Sequence, residues 1–176
     1  TRKFLEQKGH KYKTRSDTES ILHLYEEKGV ECVHYLRGMF AFAIWDSRLS
    51  RLFLARDRIG IKPLYYTFKD GSLIFGSEIK AILKYPGIER DIDPIALYHY
   101  LTFIASPTPM TLFKGIAKLE PGTFMTVSEG GAVRQEQYWD ALVPKEDASV
   151  QSEDYYVERL RELLSESIRL RMMSDV

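Results

Sequence analysis

Between residues 39 and 46 the chain reads Met-Phe-Ala-Phe-Ala-Ile-Trp-Asp. Side chains alternate faces along a strand, so Phe40, Phe42 and Ile44 share one side and Met39, Ala41, Ala43 and Trp45 the other. Both sides are apolar, which predicts a strand covered on two faces. Asp46-Ser47-Arg48-Leu49-Ser50 reads as a hairpin loop, and residues 51–55 return as a second strand that is again apolar on both faces. A strand over 62–68, the turn Lys69-Asp70-Gly71 and a strand over 72–76 complete a predicted antiparallel meander. A sheet buried on both faces needs two covering layers, and two sheets packed face to face with helices outside supply them. The expected fold class is therefore α+β: a four-layer αββα sandwich of antiparallel sheets, followed by a linker and a C-terminal helix.

Helical signals frame these strands. Phe4 and Leu5 followed by Gly9 predict the last turns of a helix. Ser16-Asp17-Thr18-Glu19 opens an amphipathic helix of about three turns that carries Ile21, Leu22, Leu24 and Tyr25, with Asp17 read as its N-cap and Lys28-Gly29 as its end. Ser77 is expected to cap a short helix over 78–84, and Asp93-Pro94 to cap and open another reaching about residue 100. Residues 105–110 read as a stiff connector, and 111–116, 122–127 and 133–139 as short strands. Residues 144–152 are polar and patternless, as a linker would be. From Ser152 a long helix follows, with Glu153 and Asp154 at its positive dipole end. Val157, Leu160, Leu164, Ile168 and Met172 form one stripe opposite Arg159, Arg161, Arg169 and Arg171, a pattern that calls for a partner surface.

Composition narrows the function classes. Among 176 residues, 25 Lys and Arg balance 25 Asp and Glu, so no global field draws the chain to nucleic acid or to an anionic membrane. No stretch of eighteen apolar residues exists to span a bilayer. The single Cys32 rules out an internal disulfide and fits a reducing compartment, with cytoplasm as the expectation. Cys32 reads as a buried, inert thiol. His10, His23, His34 and His99 are scattered without ligand spacing, so each reads as a surface or packing residue and no metal ligand is expected. Gly130-Gly131 falls in a hairpin with no Lys-Ser after it, so no phosphate loop and no cofactor-binding residue is expected. Arg56-Asp57-Arg58 before Gly60 reads as a loop tied by Arg–Asp pairing, with an anion site as the alternative. Asp17 is explained by the cap, and would otherwise offer a carboxylate to a cationic ligand group at the same helix start.

Several stretches carry a resemblance. They are Ser16-Asp17-Thr18-Glu19, Leu36-Arg37-Gly38-Met39-Phe40-Ala41-Phe42-Ala43-Ile44-Trp45-Asp46, and Ala55-Arg56-Asp57-Arg58-Ile59-Gly60-Ile61-Lys62-Pro63-Leu64-Tyr65-Tyr66. Gly76-Ser77-Glu78-Ile79-Lys80-Ala81-Ile82, Leu112-Phe113-Lys114-Gly115-Ile116 with Pro121-Gly122, and the closing Arg171-Met172-Met173-Ser174-Asp175-Val176 continue it. Together they resemble the glutamine-hydrolysing asparagine synthetase family, and the first of them are shared with other class II glutamine amidotransferases.

The resemblance implies an Ntn-hydrolase-like glutaminase domain that releases ammonia, and a second domain that uses ATP and Mg2+ to convert aspartate to asparagine. On that basis residues 1–143 are expected to be a partial glutaminase domain, 144–152 a linker and 153–176 the first helix of the synthetase domain. The family nucleophile is an N-terminal cysteine. The matching stretches put Thr1 inside a helix well downstream of it, so no catalytic residue is expected here and the separate chain is expected to be inactive. The family's glutamine-clamping arginine and Asn-Gly segment likewise precede Thr1, and its pyrophosphate loop follows Val176. Asp17 alone carries over, as the group that binds the α-amino group of glutamine. Glutamine, aspartate and ATP are the partners implied for the parent, with a homo-oligomer, no nucleic acid and no membrane. Another class II amidotransferase with a synthetase-like second domain, or a non-catalytic interaction module, are the alternatives. A sandwich without its N-terminal strands is further expected to self-associate or exchange strands.

Overall fold

Two hairpins that follow one another in the chain end in different sheets. The computed structural model describes residues 1–142 and 150–172. Its strands are β1 (Ala41–Asp46), β2 (Arg51–Arg56), β3 (Tyr65–Lys69), β4 (Ser72–Gly76), β5 (Ala117–Lys118), β6 (Thr123–Ser128) and β7 (Val133–Gln137). One sheet has the order β1-β2-β6-β7 and the other β4-β3-β5, antiparallel throughout. The expected single meander is thus corrected: the second neighbour of β2 is β6, not β3. Between β2 and β3 the ladder cannot continue, because the Lys62 amide donates to the Asp57 carboxylate at 2.9 Å and Pro63 has no N–H to give.

The strand expected over 111–116 is likewise absent. The Thr111 hydroxyl donates toward the carbonyls of Ile116 at 2.8 Å and Phe113 at 3.0 Å, curling the segment, and Gly115 turns it at φ 78°. Pairing with β3 begins only at Ala117.

The two-sided apolar pattern is what builds the layers. Phe53 and Ala55 of β2 and Phe124 of β6 pack on one side against Leu5 of α1 (Arg2–Gln7), Leu24 and Tyr25 of α2 (Asp17–Lys28), and Cys32 and Val33 of a 3-10 segment, Gly29–Tyr35. The sequence pattern had not marked this last segment as an element. Leu54 and Met125 point the other way and meet Leu64 and Leu119, with Tyr66 and Leu73 of the second sheet beside them. Alternate residues of β2 therefore anchor different cores, each removing apolar side chains from water on its own side of the sheet.

Beyond the second sheet, α3 (Ile79–Ile82) packs on β3 and β4 and buries Ile82. It begins one residue later than expected, after Glu78 rather than Ser77, and without a side-chain cap. In α4 (Pro94–Phe103) the Asp93 carboxylate accepts from the amides of Ile95 and Ala96 at 2.9 and 3.0 Å, and Pro94 supplies the first turn.

Contacts divide the chain into Thr1–Ala141 and Leu142–Val176. In the second unit the Ser152 hydroxyl caps α5 (Glu153–Arg171), accepting from the Tyr155 amide at 3.3 Å. The apolar stripe of α5 is exposed from Val157 to Met172. The predicted linker falls mostly on residues outside the described set, as do the last four positions. Among the described residues no helix is long and apolar enough to cross a membrane.

Candidate functional site

The first turn of α2 is held open by its neighbours rather than by Asp17. Ser16 has extended backbone and its hydroxyl accepts from the Thr18 amide at 3.2 Å, so Ser16 is the N-cap and Asp17 the first helical residue. This corrects the sequence expectation, and the physical consequence is direct. Relieved of capping, the exposed Asp17 carboxylate has no hydrogen bond or ion pair with the described residues. It stands at the positive end of the helix dipole, where a carboxylate is favoured.

Glu19, two residues on, organises the loop that leads in. Its carboxylate accepts from the amides of Lys13 and Thr14, both at 2.7 Å, and from the Thr14 hydroxyl at 2.6 Å. These donors, led by the Lys13 amide, hold its pKa down at about 2. The loop carrying Ser16 and Asp17 is therefore tied to the helix it precedes.

Asp17 lies on the rim of a cleft of about 890 Å³. Phe40 and, on β1, Phe42 and Ile44 contribute an apolar wall, Thr14, Ser16 and Thr18 a polar edge, and Lys62, Pro63 and Ser77 further lining. A mostly apolar cleft with a few placed polar groups and one free carboxylate suits a small ligand with a cationic end.

The loop that brings Lys62 and Pro63 to the cleft is held by Arg56 and Asp57, 8% and 1% exposed. Asp57 accepts from the amides of Ile61 at 3.0 Å, Lys62 at 2.9 Å and Phe40 at 3.3 Å. Arg56 donates to the carbonyls of Leu119 at 2.6 Å, Gly60 at 2.7 Å and Lys62 at 2.8 Å. The expected Arg–Asp pairing is corrected: each charge is spent on backbone groups. Three of the five N–H groups of Arg56 go to these carbonyls and the side chain is buried, so Arg56 does not offer its guanidinium to an external anion. Burial pulls the Arg56 pKa down while the nearby Asp57 charge opposes that shift.

Cys32 is fully buried in the helix-side core, and burial, with the Glu31 charge, pushes its thiol up to about 12. It cannot act as a nucleophile at neutral pH. Because the folded value lies above the ordinary thiol value of 9.0, this group's contribution to stability is whole below about pH 9 and is lost as pH climbs toward 12. We expect a thiol reagent such as 5,5′-dithiobis(2-nitrobenzoate) to label Cys32 at pH 8 only at the rate of unfolding; immediate stoichiometric labelling of the native chain would contradict the burial.

Two of the four histidines sit apart and two come together. His34 meets Tyr138 edge-on and His99 stacks on Phe103. His10 and His23, thirteen residues apart in sequence, lie together with ring centroids 4.6 Å apart and Glu26 alongside.

Residues 1–139 match the family described as glutamine amidotransferase domain. The chain is 40% identical over 99% of its length to asparagine synthetase [glutamine-hydrolyzing] 3 of Bacillus subtilis, and covers 28% of that protein. It is 36% identical over 94% of its length to amidase chry2 of Gibberella zeae, covering 24% of it. Among solved structures, glutamine phosphoribosylpyrophosphate amidotransferase from B. subtilis, complexed with ADP and GMP, superposes over 78% of this chain and 26% of its own with TM-score 0.53 and 20% identity. That likeness bears on the fold alone, an α+β sandwich of antiparallel sheets and helices. The chain thus spans about a quarter of the relatives it matches, and with its family match running from Thr1 to Trp139 it belongs to the glutamine amidotransferase domain family.

Proposed function

We propose that this chain is the glutamine-binding portion of a glutamine-hydrolysing asparagine synthetase. The observation that carries the reading is the free Asp17 carboxylate on the rim of the cleft beside β1. An α-amino group of glutamine placed there would form a charge-assisted hydrogen bond with Asp17, while the methylenes of the side chain lie along Phe40 and Phe42. The thiol that attacks the amide is assigned to residues outside this chain, because Cys32 is buried and its pKa is raised. Ammonia released in this way would pass to a second domain that activates aspartate with ATP and Mg2+. In this reading α5 is the first helix of that domain and its exposed apolar stripe is the face the domain covers. A cytoplasmic homo-oligomer is part of the same proposal.

The test uses the longer protein. Asp17→Asn is expected to raise KM for glutamine at least about tenfold, equivalent to about 1.4 kcal/mol, while asparagine formation from free ammonia changes less than about twofold. An unchanged KM for glutamine would remove Asp17 from the site. A second reading, another class II amidotransferase, is favoured by the amidase relatives of this chain. It predicts glutamine hydrolysis without asparagine formation from aspartate and ATP. A protein that hydrolyses no glutamine at all would instead be the non-catalytic module.

A further inference from the structure

His10, His23 and Glu26 converge on one spot at the side of α2. The Glu26 Oε2 atom lies 2.8 Å from His23 Nδ1 and 3.4 Å from His10 Nδ1. One ligand atom from each of the three residues can be chosen so that all lie within 4.8 Å of one another. Their placement has a local cause. His23 and Glu26 are three apart on one helix and so share a face, with Glu27 one position further round. His10 is delivered from the other side by the turn after α1: Gly9 reverses the chain at φ 96° and the His10 amide donates to the Leu5 carbonyl at 3.1 Å.

Each ring has a further carboxylate beyond it. His10 Nε2 lies 3.0 Å from Glu27 Oε1, and His23 Nε2 faces Glu19 Oε1 at 3.8 Å. A proton on the Nε2 of His10, donated to Glu27, leaves its Nδ1 lone pair directed at the Glu26 oxygen. That is the carboxylate–histidine arrangement that fixes the tautomer of a metal-ligating imidazole. His23 Nε2 is buried without any hydrogen-bond partner, so the ring is placed to serve Glu26 and His10 rather than to satisfy its own second nitrogen. Both imidazoles are mostly enclosed, with side chains 16% and 15% exposed, while Glu26, at 43%, leaves a path for an ion to enter.

We infer that His10 Nδ1, His23 Nδ1 and Glu26 form a binding site for a divalent transition-metal ion of the zinc type, with Glu27 as the carboxylate behind His10. Two ligands at about 2.05 Å in tetrahedral geometry are separated by about 3.3 Å, so the 3.4 Å pair is already spaced for an ion and the 2.8 Å pair opens by roughly half an ångström. Two imidazoles and one carboxylate leave a fourth position for water. They favour zinc over magnesium or calcium, which take oxygen ligands. A bound ion would pin the turn after α1 to α2, seven residues upstream of Asp17. The site is independent of the glutamine reading.

Zinc chloride titrated calorimetrically into the 176-residue chain, in a buffer without chelating groups, should saturate at one equivalent. Magnesium chloride in about tenfold excess should not displace it. His23→Gln and Glu26→Gln, each checked for a wild-type circular dichroism spectrum, should weaken zinc binding by more than about tenfold, and Glu27→Gln by about tenfold. His99→Gln should leave it unchanged. Cobalt(II) chloride added to the unmodified chain gives a reading that needs no variant: intense visible bands of a four-coordinate ion are expected in place of the weak spectrum of the hydrated ion. No saturable zinc binding at about 100 μM, a cobalt spectrum identical to that of the free ion, or folded His23 and Glu26 variants that bind as the parent does would each overturn the site.

Discussion

Arg56→Met is expected to lower the unfolding free energy by about 3–5 kcal/mol, seen as a drop in urea midpoint at unchanged m-value. Its guanidinium ties two stretches of chain to the end of β2: the loop that follows, through the carbonyls of Gly60 and Lys62, and Leu119 just before β6. Methionine keeps much of the aliphatic volume and removes every donor. A buried carbonyl left without a partner costs about 1–3 kcal/mol; the bond to Leu119 is buried and those to Gly60 and Lys62 are partly so, and three losses in one place are not additive, hence the range. The loss also strips Asp57 of a neighbouring positive charge in a buried setting. Arg56→Lys should recover only part of the difference, because an ammonium cannot offer a planar fork to three separated carbonyls. Arg58→Met is the comparison: that guanidinium is exposed, 6.0 Å from the Trp139 ring, and its removal should cost less than about 1 kcal/mol. A loss at Arg56 no larger than that at Arg58 would refute the account.

Arg56 also marks where pattern reading stops. The apolar alternation of residues 40–46 and 51–55 correctly implied two cores, because period-two burial is a local property and Phe53 and Leu54 need only opposite faces to express it. Which strand lies beside β2 is not local. It depends on Arg56 and Asp57 binding backbone at residues 40, 60–62 and 119, and nothing in the spacing of those positions announces them. The same limit explains the misread of Arg-Asp-Arg as a self-paired loop: opposite charges adjacent in sequence suggest each other, whereas buried ones go to unsatisfied backbone.

Asp17 shows the converse. Ser and Asp in succession both fit a cap by type, and the pattern chose Asp17. Resemblance implied a ligand-binding role for it, and by giving the cap to Ser16 the geometry leaves its carboxylate available for the role proposed above. For His10 the only local trace of its surroundings was absent, while His23 and Glu26 at three-residue spacing were visible but unremarkable on a polar helix face.

The same joint sets the second large effect. Gly122→Ala is expected to destabilise by about 3 kcal/mol, read from the same urea transition. Gly122 holds φ at +61°, and a Cβ there would stand 2.4 Å from the Trp139 carbonyl oxygen. That oxygen cannot retreat freely. The Gly122 carbonyl already accepts from the amides of Tyr138 at 2.8 Å and Trp139 at 3.2 Å, and its own amide donates to the Asp57 carbonyl at 2.9 Å. Moving Trp139 therefore disturbs the end of β7 and the loop after β2 together. Gly115→Ala isolates the backbone component, because Gly115 also has positive φ, +78°, but nothing lies within 4 Å of a Cβ built on it. It should cost about 1–2 kcal/mol, the strain of a left-handed alanine without a collision. The difference between the two substitutions measures the close approach of two backbones at the end of the β6–β7 ladder. Equal losses would mean that Trp139 yields at no cost and that this end of the ladder is looser than its hydrogen bonds imply.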